Sequence, residues 1–164
     1  QIGLGKLFPF MPYPVIILLV VFIISYVLLH WTKFGRYVYA VGGNINAATA
    51  SGVNIFWTRT ATFVISGIFA GIAGILMTAK INAAQPNIGV GYETDAIAAC
   101  VIGGTSFAGG VSTIPGTLVG IVIIGLIYNG MNLIGIESYY QTIVKGLLII
   151  GAVMLDMTLN KKRG

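Results

Sequence analysis

Long stretches without a charged residue alternate with short polar intervals along the 164-residue chain. A membrane-spanning helix needs about 20 consecutive apolar residues, and charge-free stretches of that length are its usual sign. The pattern therefore predicts membrane spans at about residues 13–31, 60–79, 115–135 and 139–157. The sequence also predicts a fifth, shorter span over residues 96–112, which is rich in glycine.

The fifth span belongs to the longest uncharged stretch, which lies between Asp95 and Glu137. This stretch is too long for one helix, and its paired glycines favour a division into two parts. We predict a short helix from Ala96 to Ile102, completed by irregular backbone from Gly103 to Ser112. Irregular backbone at membrane depth is tolerated only where it is buried in protein or lines water. The segment is therefore the best candidate for a water-filled path.

Composition supports a membrane protein, since 57% of the residues are hydrophobic and only 8% are charged. Soluble domains average about 25% charged residues, and disordered chains have low hydrophobicity. Both classes are therefore excluded. The expected fold class is all-α: one polytopic transmembrane helix bundle over residues 1–164, with a broken or short helix and a short cytoplasmic coupling helix. The single cysteine permits no disulfide within the chain, and the pattern indicates no metal site.

Basic residues indicate the orientation, because cytoplasmic loops carry an excess of lysine and arginine. The loop 33–59 holds three basic residues and no acidic one, and the tail holds Lys161, Lys162 and Arg163. We therefore place both the loop and the C-terminus in the cytoplasm. Two cytoplasmic points require an even number of crossings between them, so residues 96–112 must also cross. No basic stripe with polar surroundings suggests a nucleic-acid partner.

The loop contains a predicted two-turn helix at about residues 45–51. Asn44 is a good N-cap, the alanines that follow favour helix, and Gly52 suits the left-handed position after a helix end. The helix presents little bulk and could fit into a groove of another protein. The alternative is a connector that lies on lipid, but such helices carry large apolar residues opposite lysine or arginine. Alanine, threonine, serine and asparagine do not fit that description.

Three motifs resemble ribose- and galactoside-type permeases of ATP-binding-cassette importers. The segment from Gly35-Arg36 through Ala47-Ala48 to Asn54 resembles the coupling segment of that family. Gly91 to Gly110 resembles its second signature, although Thr94 stands where the family more often has leucine. Tyr139-Tyr140-Gln141 with Lys145-Gly146 resembles the third. Permeases of the family are about double this length, so the chain resembles their C-terminal half.

The resemblance implies a permease subunit in the cell membrane that translocates a ribose- or galactose-like sugar. The implied partners are a cytoplasmic ATP-binding subunit, an extracytoplasmic sugar-binding protein, membrane lipid and a second permease copy. The chain has no phosphate-binding glycine-rich loop ending in Lys-Ser or Lys-Thr, so ATP hydrolysis is assigned to a partner. We expect no catalytic residue and no cofactor in the chain. The residues carried over as contacts to the ATPase are Asn44, Ala47, Ala48, Ser51 and Gly52.

Polar residues inside the predicted spans are the candidates for the sugar pathway. Asn129 and Asn132 could bind sugar hydroxyls or bridge helices. Gln141, Lys145 and Asp156 share one face of the last helix. This face either borders the path or pairs with another helix. The alternative for Lys145 is that its long side chain extends to the outer membrane interface. The candidate pathway residues are Gly103, Gly104, Thr105, Ser106, Asn129, Asn132, Gln141 and Lys145.

Small residues recur at helical spacing on two spans. Gly67, Gly71 and Gly74 lie on one face of the second span, and Gly116 and Gly120 form a GxxxG pair. Such faces usually pack against other helices. Glu93 and Asp95 stand just before the predicted short helix, where acidic residues favour a helix N-terminus; contact with the binding protein or with Lys80 is the alternative.

Two other functions are possible for a membrane protein of this kind. An ion-coupled secondary transporter or channel half would also contain broken helices, but it would need buried acids and no docking helix. All four acids lie near predicted span ends. A membrane enzyme would need a nucleophile with a base, and the only histidine, His30, lies at the edge of the first span. Neither Ser106 nor Ser112 stands in a Gly-x-Ser-x-Gly sequence.

Overall fold

The computed structural model describes residues 6–8, 11–83, 87 and 89–161. Two short strands, β1 (Lys6–Phe8) and β2 (Met11–Pro12), pair antiparallel before the first helix. The helices are α1 (Tyr13–His30), α2 (Lys33–Gly43), α3 (Ile45–Ala50), α4 (Ile55–Ile81), α5 (Tyr92–Ile102), α6 (Ile114–Leu133) and α7 (Ser138–Lys161). They form two compact units, Gln1–Val90 and Gly91–Gly164.

Four of the described helices are long and apolar enough to cross a membrane, namely α1, α4, α6 and α7. They correspond to the four full-length spans predicted from the sequence, and the all-α polytopic fold class is confirmed. The boundary that differs most is the start of α4, which begins at Ile55 instead of residue 60. The side chain of Asn54 accepts a hydrogen bond from the Trp57 N–H at 3.1 Å and caps this earlier start. The tail residues Lys162 and Arg163 lie outside the described residues.

Helix α2 was not predicted, because its three glycines are poor helix formers. The Thr32 hydroxyl caps its start by accepting a hydrogen bond from the Gly35 N–H at 3.3 Å. Gly35 itself lies against the backbone of Leu29, where a Cβ atom would collide with the Leu29 carbonyl. The glycine is therefore needed for close packing between α1 and α2, and this tertiary contact offsets its low helix propensity.

The start of α5 corrects the predicted position of the acidic residues. The helix begins at Tyr92, so Glu93 and Asp95 lie in its first turn and not before it. Gly91 precedes the helix with a φ of 86°, a left-handed conformation that suits glycine. Negative charge in the first turn stabilises the positive end of the helix dipole. The end of α5 at Ile102 is the predicted one.

The core of the second unit lies where α5 packs against α6. A Cβ atom on Gly116 would collide with the Gly103 carbonyl, and one on Gly120 would collide with the Ala99 carbonyl. The GxxxG pair Gly116–Gly120 is therefore confirmed as a helix-packing surface. Ala98, Ala99 and Ile124 form the buried centre of this contact.

The glycine face of α4, unlike that of α6, makes no close contact among the described residues. No described heavy atom other than the helix's own lies within 4 Å of a Cβ built on Gly67, Gly71 or Gly74. Packing on this face therefore stays a prediction.

Candidate functional site

Helix α3 confirms the predicted two-turn helix in the loop. The Asn44 side chain accepts a hydrogen bond from the Ala47 N–H at 3.0 Å, which makes Asn44 the N-cap. The Ser51 N–H donates to the Ala47 carbonyl at 3.0 Å, and Gly52 follows with a φ of 78°. Local hydrogen bonds thus begin and end the helix, as the sequence indicated.

The position of Ala48 requires a correction. Its exposure is 3%, so its side chain cannot supply contact surface for a partner. The Val53 N–H donates to the Ala48 carbonyl at 3.0 Å and holds the chain beside it. Ala48 therefore anchors α3 within its own unit. The other proposed docking residues, Asn44, Ala47, Ser51 and Gly52, are exposed, and their contact with an ATPase stays a prediction.

Asn44→Ala removes the cap of α3 and should destabilise this helix by about 1 kcal/mol. We expect hydrogen exchange of the backbone amides in residues 45–50 to become about fivefold faster, since that free energy corresponds to such a factor at 25 °C. Asn46→Ala is the matched control, because Asn46 is exposed and makes no cap hydrogen bond to a described residue. Equal exchange rates in the two variants would show that the Asn44 cap does not hold the helix.

Helix α5 runs along part of α6 in the opposite direction. At one end Gly103 meets Gly116, next Ala99 meets Gly120, and at the far end the Tyr128 hydroxyl donates to Asp95 Oδ1 at 2.8 Å. From Gly116 to Tyr128 α6 rises about 18 Å, at about 1.5 Å per residue. Helix α5, from Asp95 to its C-cap Gly103, therefore lies beside this part of α6.

The irregular part, from Gly103 to Thr113, satisfies much of its own hydrogen bonding. The Thr113 hydroxyl donates to the Gly103 carbonyl at 2.8 Å. The Thr105 and Ser112 hydroxyls are 3.0 Å apart, and the Ser106 N–H donates to the Val111 carbonyl at 3.0 Å. These bonds give the irregular backbone internal hydrogen-bond partners, which is the condition for such backbone at membrane depth. The crossing by residues 96–112 stays a prediction.

Lys145 makes an ion pair. The sequence allowed three positions for this side chain: beside the path, paired with another helix, or extended to the interface. Its Nζ atom lies 2.6 Å from Asp95 Oδ1 and 5.5 Å from the centre of the Tyr128 ring. The same Nζ atom donates to the Gly91 carbonyl at 3.3 Å. Lys145 of α7 is therefore paired with another helix, α5. The sequence did not single out Tyr128 because a tyrosine near the end of a span is typical of membrane interfaces.

Asp156 makes the second long-range contact of α7. Its Oδ2 atom accepts a hydrogen bond from the Ser106 hydroxyl at 3.0 Å and another from the Phe107 N–H at 2.9 Å. The predicted shared face of α7 thus brings Lys145 and Asp156 to the same segment.

Gln141, the third member of the predicted face, takes part in a different contact. Its side-chain amide donates to Asn132 Oδ1 at 2.9 Å and to the Ile136 carbonyl at 2.8 Å. Asn132 therefore bridges α6 and α7. Of the two interpretations of this residue, binding of sugar hydroxyls or bridging of helices, the contact agrees with the second. Asn129 is exposed, and its place in a pathway stays a prediction.

Two cavities adjoin α5. The first, of about 340 Å³, is lined by Ala96, Ile97, Cys100, Val101, Thr105, Ser106 and Phe107. The second, of about 370 Å³, is lined by Tyr92, Asp95, Ala96, Ala99, Ile121, Ile124, Gly125 and Tyr128. Both are mostly apolar with a few polar groups, in the size range of small-molecule sites. Candidate residues Thr105 and Ser106 share the first cavity, whereas Gly103 and Gly104 shape the backbone beyond α5.

Comparison with known proteins places these elements in a family. A family described as "Branched-chain amino acid transport system / permease component" matches residues 3–153. The ribose import permease protein RbsC of Escherichia coli K12 is 48% identical over 152 residues, which cover 93% of the chain and 46% of that protein. No solved structure matches the chain.

Two further relatives carry the names of other sugars. The D-allose transport system permease protein AlsC of Escherichia coli K12 is 46% identical over 92% of the chain and 46% of its own length. The xylose transport system permease protein XylH of Haemophilus influenzae is 45% identical over 93% of the chain and 40% of its own length. The chain thus spans less than half the length of these relatives.

Proposed function

The chain belongs to the branched-chain amino acid transport system / permease component family, and on that premise we propose that it forms part of the permease of an ATP-binding-cassette importer for a simple sugar. The observation that carries this proposal is the 48% identity to a ribose import permease over 93% of the chain. That match extends through most of the chain, which includes the loop helix α3 and the segment 92–113. The names of the relatives, which are ribose, xylose and allose permeases, support the substrate class.

The proposed coupling surface is the exposed part of α3. Asn44, Ala47, Ser51 and Gly52 are exposed and small, and Asn44 and Ser51 fix the ends of the helix. Such a surface suits a groove on a cytoplasmic ATP-binding subunit, whose closure it would transmit to the membrane helices. ATP hydrolysis belongs to that subunit in this proposal. A sugar-binding protein outside the cell and a second permease copy complete the proposed assembly.

The proposed orientation has the loop 33–59 and the C-terminus in the cytoplasm. It requires segment 92–113 to cross the membrane together with α4, α6 and α7. The antiparallel packing of α5 along α6, from Gly116 to Tyr128, supports the crossing. The sugar path is proposed to pass beside α5, where the two cavities lie.

An ion-coupled transporter is the weaker alternative. Such a transporter needs a carboxylate that can bind the coupling ion at membrane depth. Asp95 is paired with Lys145 and Tyr128, and Asp156 is bonded to Ser106 and Phe107. Both carboxylates therefore have structural partners.

Co-purification of the native permease in mild detergent tests this proposal. We expect a nucleotide-binding subunit in stoichiometric amount, identified by mass spectrometry and by ATP hydrolysis that vanadate inhibits. An intact permease that copurifies with no nucleotide-binding subunit would contradict the proposal and favour the ion-coupled alternative.

A further inference from the structure

Helix α7 carries two opposite charges on one face. Lys145 and Asp156 are 11 residues apart, which is close to three helical turns and about 16 Å along the axis. Each charge contacts a different part of the segment 92–113. We call the group Asp95, Tyr128 and Lys145 the lysine contact, and the group Ser106, Phe107 and Asp156 the aspartate contact.

The lysine contact holds the start of α5. Both Lys145 Nζ and the Tyr128 hydroxyl bind the same oxygen, Asp95 Oδ1, at 2.6 and 2.8 Å. The Lys145 and Asp95 side chains are only 20% and 24% exposed. Charges at membrane depth are costly, and a buried ion pair is seldom a net source of stability. A geometric role accounts for this pair better than a contribution to stability does.

The aspartate contact holds the irregular backbone after α5. Asp156 Oδ2 accepts hydrogen bonds from the Phe107 N–H and the Ser106 hydroxyl. The Ser106 oxygen in turn accepts a hydrogen bond from the Ala108 N–H at 3.1 Å. Without the carboxylate, the Phe107 N–H would lose this acceptor. Asp156 therefore determines where this part of the chain lies against α7.

Both contacts hold residues that line cavities. Asp95 and Tyr128 line the larger cavity, and Ser106 and Phe107 line the smaller one. We propose that Lys145 and Asp156 are positioning residues that fix segment 92–113 on α7 at two levels and so set the geometry of the sugar path. This inference rests on the proposed function, because it assigns the two residues a role in that path.

Lys145→Met tests the lysine contact in the native importer reconstituted with its partners. We expect the maximal rate of ribose uptake to fall about tenfold, which corresponds to about 1.4 kcal/mol and lies within the coupling energies of contacting residues. The amount of assembled complex should not change. The control is Lys80→Met, because Lys80 is exposed and has no ion pair among the described residues.

The charge-reversed pair, Asp95→Lys with Lys145→Asp, distinguishes two roles for these residues. If the ion pair only positions the segment, the reversed pair can replace it; if either side chain is needed for its own chemistry, it cannot. We expect each single reversal to lose uptake and the double variant to recover at least about a third of it, since only the double variant restores an ion pair. A folded double variant that stays inactive would overturn the inference. If Lys145→Met or the reversed pair does not fold, Lys145→Arg is tested in place of that variant. We expect it to keep at least half of the uptake, because arginine keeps the positive charge opposite Asp95.

Cys100 provides a readout of position that does not depend on transport. It lies in α5 between the two contacts and lines the smaller cavity. We expect the rate of labelling by a water-soluble maleimide to change at least about threefold in Lys145→Met and in Asp156→Leu, because thiol reactivity follows local exposure. Glu137→Leu is the control for Asp156→Leu, since Glu137 is an exposed acid between α6 and α7, and Cys100→Ser gives the background.

The two readouts distinguish failure of this inference from failure of the proposed function. Unchanged labelling and unchanged uptake in folded Lys145→Met and Asp156→Leu would overturn the positioning role. Lost uptake with unchanged labelling would overturn it as well. Absence of ATP-driven uptake in the unaltered importer would instead contradict the proposed function, while altered labelling in the variants would still support the two contacts.

Discussion

Ala47→Arg is expected to reduce sugar uptake at least about 100-fold while the permease stays folded and inserted in the membrane. Ala47 is exposed on α3, and its small side chain leaves room for a partner surface. An arginine there adds bulk and positive charge at the centre of the proposed contact. Losses of this size correspond to about 2.7 kcal/mol, as for the strongest residues of protein interfaces. Uptake and copurification of the ATP-binding subunit measure the effect.

Thr49→Arg is the matched control for Ala47→Arg. At 100° per residue, positions 47 and 49 lie on opposite sides of the buried Ala48, and both are exposed. The same charge is thus added on the flank away from Asn44 and Ser51. We expect much smaller losses from Thr49→Arg. Equal uptake in Ala47→Arg and the unaltered protein would contradict the proposed docking surface.

Ala48→Arg should fail for a different reason. Because Ala48 is 3% exposed, an arginine there must displace the packing of α3 inside its own unit. We expect less folded protein in the membrane, whereas Ala47→Arg should accumulate normally. The contrast between neighbouring alanines separates loss of docking from loss of structure.

Gly116→Ala is expected to destabilise the second unit by about 1–3 kcal/mol, the usual cost of overpacking. The added methyl group would collide with the Gly103 carbonyl, and a backbone atom cannot move aside as the end of a side chain can. The apparent Tm in detergent should fall by about 4–10 °C, since about 1 kcal/mol corresponds to a few degrees for a chain of this size.

Gly125→Ala is the control for Gly116→Ala. It lies on the same helix, and no atom other than the helix's own lies within 4 Å of a Cβ built there among the described residues. We expect its Tm to stay near that of the unaltered protein. Equal Tm values for the two variants would show that the α5–α6 contact is not as close as the geometry indicates.

Local signals accounted for the parts of the fold that were predicted well. The charge-free stretches located the four long helices, and the cap at Asn44 with Gly52 located α3. The burial of Ala48 could not be predicted in the same way, because its neighbours Ala47 and Ala50 have the same side chain and are exposed.

Long-range contacts explain what was missed. Helix α2 depends on the fit of Gly35 against Leu29, which outweighs its unfavourable local composition. Periodicity placed Lys145 and Asp156 on one face but could not supply their partners. Asp95 precedes Lys145 by 50 residues, and Ser106 precedes Asp156 by the same number. Such pairs are determined by how helices pack and not by local sequence.

Uptake of radiolabelled ribose, xylose or allose into proteoliposomes tests the central claim most directly. The vesicles would contain the native permease with its ATP-binding subunit, with ATP on the ATPase side and the sugar-binding protein on the other. We predict that at least one of these sugars accumulates against its gradient, and that this accumulation requires hydrolysable ATP and is abolished by vanadate or by Ala47→Arg. Accumulation that proceeds without nucleotide and follows an imposed ion gradient would contradict the account.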